Sequence, residues 1–163
     1  MKKKTIDPGK PELAPPERIP WEVVKSPHSP RASEWSEQCA VIDWRNRCLG
    51  ARPYLFMLFH TPNGEKREQV EYTRRDGSKG TWSPSGMRAK LAGASPGVPD
   101  LILPIRRGGF NGLAVEMKIN GGSLSDDQKA WLRALALENW KVAVCYGAQA
   151  AIELIDQYDA LDD

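Results

Sequence analysis

Residues 95–119 read SPGVPDLILPIRRGGFNGLAVEMKI. Two apolar segments flank Gly108 and Gly109, the pattern of strand, glycine turn and strand. In the second arm Leu113, Val115, Met117 and Ile119 alternate with Ala114, Glu116 and Lys118. A strand sends successive side chains to opposite faces, so one face is apolar and the other carries an acid and a base together. Folding the segment back about the two glycines brings Asp100 level with residues 116 and 117, and two carboxylates meet at one end of a hairpin.

Two acids held that close repel each other unless a cation lies between them. Hard oxygen ligands of this kind select Mg²⁺ or Mn²⁺ over zinc. Asp100 and Glu116 are therefore the expected metal ligands, and Met117 is expected to add only its backbone carbonyl, which explains an apolar residue between the acid and the base. Such an ion polarises a phosphodiester and makes a bound water more acidic. Lys118, on the same face, is placed to orient that water or to offset charge at the scissile phosphate. A bare E-x-K triplet is most often a solvent-facing ladder; the preceding G-V-P-D, the symmetric hairpin spacing and the helix that follows set this one apart.

That helix follows Asn120, Gly121 and Gly122, where Ser125 stands three residues before Gln128, a capping-box spacing, and Trp131, Leu132, Leu135 and Ala136 continue an apolar stripe. KVAVCY (141–146) reads as a short strand and residues 148–158 as a closing helix. Upstream, Ser33 is positioned to cap a helix through EWSEQCAVIDWRNRCLG, with Trp35, Cys39, Ile42 and Leu49 near one face and Gly50 as its stop. YLFMLFH (54–60) has the pattern of a buried strand, and Pro62, Asn63 and Gly64 force a turn after it. Residues 65–82 are polar and read as a hairpin or long loop about Asp76 and Gly77, and SPSGMRAKLAGA as a short helix ended by Gly93. The order of elements describes an α/β fold, helices flanking one mixed sheet.

At 163 residues the chain suits one domain and a tail. Residues 1–32 hold seven of the thirteen prolines and little apolar periodicity, which predicts a flexible arm, with the catalytic domain in 33–163 and a polar insertion at about 65–84. The basic N-terminus lacks the apolar stretch of a secretory leader, and no segment is apolar enough to span a bilayer, so the expected compartment is the cytoplasm. Three cysteines without a CxxC pair and two histidines indicate neither a disulfide framework nor a zinc site. Net charge is only +2, yet residues 45–107 carry twelve basic against five acidic side chains and residues 108–163 four against nine. A basic middle beside an acidic flank suits a protein that grips phosphates on one surface and holds a cation elsewhere.

Taken in order, G-V-P-D at 97–100, E-M-K at 116–118 and L-S-D-D-Q at 124–128, with SEWSEQ near the start and T-P-N-G at 61–64, resemble the successive motifs of the virus-type replication-repair nuclease (VRR-NUC) family, a branch of the PD-(D/E)XK nucleases. The resemblance implies a PD-(D/E)XK core and an Mg²⁺- or Mn²⁺-dependent DNA endonuclease, with Asp100, Glu116 and the Met117 carbonyl on the metal, Lys118 as catalytic lysine and Gln128 in support. An acid on the first helix completes such sites; Glu34 and Glu37 both qualify, and Glu37 is marginally preferred. Asn63, Lys66 and Arg67 match the family's basic turn and are the expected phosphate contacts. About a dozen further residues with Arg74, Arg75 and Lys79 depart from the compact family pattern, and with Arg88 and Lys90 they extend the candidate DNA surface. Stand-alone members resolve junctions, which implies branched or four-way junction DNA as substrate, a place in DNA repair, and a homodimer. The same motifs leave open a catalytically silent DNA- or partner-binding module and a sequence-specific restriction-type nuclease.

Overall fold

A computed structural model of the chain describes residues 19–27, 29, 31–62 and 69–162. Its elements run β1 (Glu22–Lys25), α1 (Glu34–Cys48), a 3-10 helix (Pro53–Met57), β2 (Phe59–His60), β3 (Val70–Thr73), β4 (Lys79–Trp82), α2 (Pro84–Leu91), β5 (Leu101–Leu103), β6 (Leu113–Lys118), α3 (Asp126–Leu137), β7 (Lys141–Tyr146) and α4 (Ala148–Asp159). Five strands form one mixed sheet in the order β1-β7-β6-β5-β2, and β3 with β4 form a separate ribbon.

The decisive hairpin folds about its glycines as its symmetry dictates. Leu101 pairs with Val115 and Leu103 with Leu113, which puts Asp100 opposite Glu116. Gly108 and Gly109 adopt φ of 55° and 79°, the left-handed region that suits glycine. Strand β6 then runs parallel to β7, with α3 as the crossover between them. Because β6 is the central strand, all six of its residues are buried, Glu116 and Lys118 included. A solvent-facing ladder is thereby ruled out.

The core is split by the sheet. On one face Leu113, Val115 and Met117 of β6 pack with Val41 of α1, Leu55 and Leu58, and the α4 residues Ala151, Leu154, Ile155 and Tyr158. On the other, Ala114, Val142 and Val144 pack under Leu132 of α3. Burying these side chains is the main force holding the layers together, at about 1.5–3 kcal/mol for each large aliphatic group.

Three expectations change. YLFMLFH is a 3-10 turn followed by a two-residue strand, because Pro53 fixes the first turn; Leu55 and Leu58 are fully buried, and Tyr54 and Met57 pack partly buried against the core. The fully buried residues of α1 are Gln38 and Val41, and Ile42 and Leu49 of the expected stripe pack against the core, while Trp35 is 68% exposed and lines an open groove with Cys39, Ile42 and His60. Residues 22–25, expected within the proline-rich arm, form an edge strand parallel to β7, so the sheet reaches upstream of residue 33. The hairpin at Asp76 and Gly77 and the short helix before Gly93 form as expected. Cys39, Cys48 and Cys145 are free thiols. Among the described residues no helix is long and apolar enough to cross a membrane.

Candidate active site

Asp100, Glu116, Lys118 and Gln128 converge at the carboxyl end of β6. Asp100 stands one residue before β5, and its Oδ2 accepts the backbone N–H of Met117 at 2.8 Å, a buried bond that a side chain makes where the strand pairing ends. The Asp100 backbone is fixed from the other side. Thr61 N donates to its carbonyl at 2.9 Å, His60 Nδ1 lies 3.0 Å from the same oxygen, and the Thr61 hydroxyl donates to Pro99 O at 2.5 Å. The threonine of T-P-N-G thus fastens the P-D pair.

Glu116 is 1% exposed. Its Oε1 accepts from Lys118 Nζ at 2.6 Å and from the Gln128 amide, while its Oε2 is buried with no donor except, when one of the two acids is protonated, the Asp100 carboxyl. Gln128 reaches it because of how α3 begins. The Ser125 hydroxyl accepts from Gln128 N, and Gln128 Oε1 accepts from Ser125 N at 2.9 Å, a capping box that leaves the amide nitrogen free to turn inward. Gly97 lets the G-V-P-D loop lie on this helix start. Its φ is +82°, and a Cβ there would come within 2.5 Å of the Asp127 backbone carbon.

Lys118 Nζ donates also to Met117 O at 2.9 Å, so the carbonyl expected to serve a metal does face the cluster. The same ammonium lies 3.5 Å from Glu34 Oε1. Gly122 forms the floor here, where a Cβ would stand 3.1 Å from Lys118 Cδ and 3.4 Å from Glu34 Oε1. Glu37, the marginally preferred acid, turns elsewhere. Its Oε2 accepts the backbone N–H of Ala148 at 2.5 Å and supplies α4 with the cap that Gly147 has no side chain to make. Of the two acids, the structure brings Glu34 to the cluster.

The electrostatics follow from burial. Desolvation, with the Asp100 carboxylate beside it, pushes Glu116 up to about 8, and burial raises Asp100 as well. For Lys118 burial works against the charge, but the hydrogen bond and charge of Glu116, helped by Glu34 and Asp100, hold it above the usual lysine value. Among the described residues no three of His, Cys, Asp and Glu form a ready-made cage. The donor set still fits a hard divalent cation, being all oxygen, with one buried Glu116 oxygen that only the Asp100 carboxyl faces and two carboxyl groups whose joint ionisation a cation would favour.

The candidate phosphate contacts divide into two groups. Arg74 and Arg75 stand at the tip of the β3–β4 ribbon, and Arg88 and Lys90 on α2; all four are exposed. Asn63, Lys66 and Arg67 lie outside the described residues. The roles of Thr61, Gly97 and Gly122 are not readable from spacing alone, since each depends on a contact with a distant segment.

A mixed sheet flanked by helices, with a buried Asp, Glu and Lys at the end of its central hairpin, defines a PD-(D/E)XK-like core. The chain matches the VRR-NUC domain over residues 32–149 and belongs to that nuclease-type family. It is similar to a solved structure described as a VRR_NUC domain protein, at 28% identity and a TM-score of 0.61, over 81% of this chain and 92% of that one. No curated protein matches it.

Proposed function

We propose that the chain is a metal-dependent endodeoxyribonuclease acting on branched or otherwise structured DNA, four-way junctions among them. The observation that carries this reading is Glu116, a carboxyl group buried opposite Asp100 and clamped through one oxygen by Lys118 and Gln128, while no group but the Asp100 carboxyl faces its other oxygen. Two carboxyl groups buried against each other are costly to ionise unless a cation joins them.

Asp100, Glu116 and the Met117 carbonyl are the residues to hold Mg²⁺ or Mn²⁺, with Glu34 as the fourth group. The bound ion would polarise the scissile phosphodiester and acidify a water. The acids around Lys118 hold its proton affinity above the usual lysine value, which supports an electrostatic part, offsetting charge that develops at the phosphate. Gln128 holds Glu116 by one oxygen and so orients the other. Described residues of the basic middle, Arg74, Arg75, Arg88 and Lys90, would meet backbone phosphates. Symmetric resolution of a four-way junction calls for two copies about a two-fold axis, and the exposed Phe56 and Phe59 offer apolar surface for a homodimer.

The test is cleavage of linear duplex, flap and four-way junction DNA, each with and without Mg²⁺ or Mn²⁺, by the wild-type chain and by Asp100→Asn. Metal-dependent cutting of the branched forms, lost in the variant, is the expected result. Binding without cutting in any metal would overturn it in favour of a silent binding module, and cutting of duplex at defined sites only would point to a restriction-type enzyme.

A further inference from the structure

The β3–β4 ribbon is the part of the chain whose composition and packing the nuclease centre does not explain. Strand register puts Val70 opposite Trp82 and Tyr72 opposite Gly80, so these four share one face, while Glu71, Thr73, Lys79 and Thr81 share the other. On the first face Val70 is 40%, Tyr72 43% and Trp82 46% exposed. Among the described residues the ribbon packs chiefly against itself, so no core accounts for three large apolar side chains. The Tyr72 ring is seated on Gly80, where a Cβ would come within 2.8 Å of Tyr72 Cζ. Glycine at that position keeps the ring against the backbone. The Arg74 guanidinium lies 5.8 Å from the Tyr72 ring centre. Trp82 is the diagonal neighbour of Tyr72, a spacing of about 7–8 Å.

The charge around this face is matched to a polyanion. Arg74 and Arg75 stand at the turn, and Arg88 and Lys90 follow on α2, while Lys79 belongs to the opposite face. The acid of the turn, Asp76, is engaged locally, accepting from Ser78 N at 2.9 Å and from the Ser78 hydroxyl at 2.7 Å. Two aromatic rings on a sheet face beside arginines is the arrangement by which proteins stack unpaired bases while gripping the strand's phosphates.

We infer that the Val70/Tyr72/Trp82 face of the ribbon is a binding site for unpaired nucleotides, the single-stranded segments that branched DNA exposes. Resting on the nuclease reading above, this names the feature of the substrate that the chain recognises. Tyr72 and Trp82 stack bases; Arg74 and Arg75 take phosphates.

The test is fluorescence anisotropy of the full chain without divalent metal, using labelled oligo-dT and a blunt duplex of the same length. Tyr72→Ala and Trp82→Ala are each expected to weaken oligo-dT binding about tenfold while changing duplex binding little, and Trp82→Phe is expected to restore most of the loss. A second readout does not depend on how well a variant folds. Oligo-dT should quench part of the wild-type tryptophan emission, and that part should vanish in Trp82→Phe, which still binds. Unchanged oligo-dT affinity in the alanine variants, or equal losses on both probes, overturns the inference and leaves the nuclease reading standing. Failure of the wild-type chain to bind oligo-dT, with metal-dependent junction cleavage intact, defeats the inference alone; loss of junction cleavage as well defeats the nuclease reading. A change in oligomeric state on Trp82→Ala, with DNA binding intact, would instead make this face a contact between copies of the chain.

Discussion

Asp100 has two tasks that can be separated by choice of substitution. Its carboxylate is a proposed metal ligand, and its Oδ2 is also the acceptor for the buried Met117 N–H. Asp100→Ala removes both and strands a buried donor, at a cost of about 1–3 kcal/mol. Asp100→Asn removes the charge but keeps an acceptor oxygen. Both variants are expected to lose cleavage, yet only the alanine variant should be measurably less stable in urea or heat; equal stability of the two would contradict the hydrogen bond's role. Lys118 admits a similar separation. Lys118→Met keeps the stem but removes the ammonium that bonds Glu116 and Met117 O. Single-turnover cleavage should fall about 100- to 1,000-fold while DNA affinity holds. A proportional fall in affinity with undiminished cutting would make the lysine a phosphate contact.

Helix α1 carries two acids one turn apart with different work, and the geometry separates what spacing could not. Glu34 faces Lys118, whereas Glu37 caps α4 from a distance of 111 residues in sequence. Glu34→Ala is therefore expected to cost cleavage with little stability, and Glu37→Ala to cost about 1 kcal/mol of stability through the lost cap, with activity retained below the melting range. Melting curves and cleavage rates of the two variants check this, and the reverse pattern would exchange the roles. The site's hairpin was legible because its signal is local: strict alternation, two glycines, and a symmetric arm length that sets Asp100 against Glu116. The capping box of α3 was equally local, and so was the ribbon's D-G turn. Choosing between Glu34 and Glu37 was not, because α1 buries Gln38 and Val41 most deeply and leaves the Trp35 end of the expected stripe exposed, and the rotation of a helix is decided by its neighbours. Edge strand β1 was hidden for a related reason: its residues are mostly exposed and its pairing partner lies some 120 residues away.

Folding stability belongs to the whole chain, and the buried acids couple it to pH and metal. Glu116 has its proton affinity raised in the folded state, to about 8 from an ordinary value of 4.5, and Asp100 is raised in the same direction. Between those values the unfolded chain has released a proton that the folded chain still holds. Fewer protons on the unfolded state means that stability falls as pH rises through this window, levelling above it, where both states are ionised. Lys118 is raised too, so its contribution is fully present below the ordinary lysine value and does not reverse the slope. Mg²⁺ binds ionised carboxylates that only the folded chain brings together, so its stabilisation should grow with pH. The expected outcome is a melting temperature that declines from pH 5 to pH 8 without metal, with Mg²⁺ restoring more of it at pH 8 than at pH 5. In Glu116→Gln the decline should flatten and the Mg²⁺ effect should shrink at both pH values. Differential scanning fluorimetry with EDTA or Mg²⁺ measures all of these. A slope unchanged by Glu116→Gln would remove Glu116 as the titrating group, and a larger Mg²⁺ shift at pH 5 than at pH 8 would separate the metal from these carboxylates.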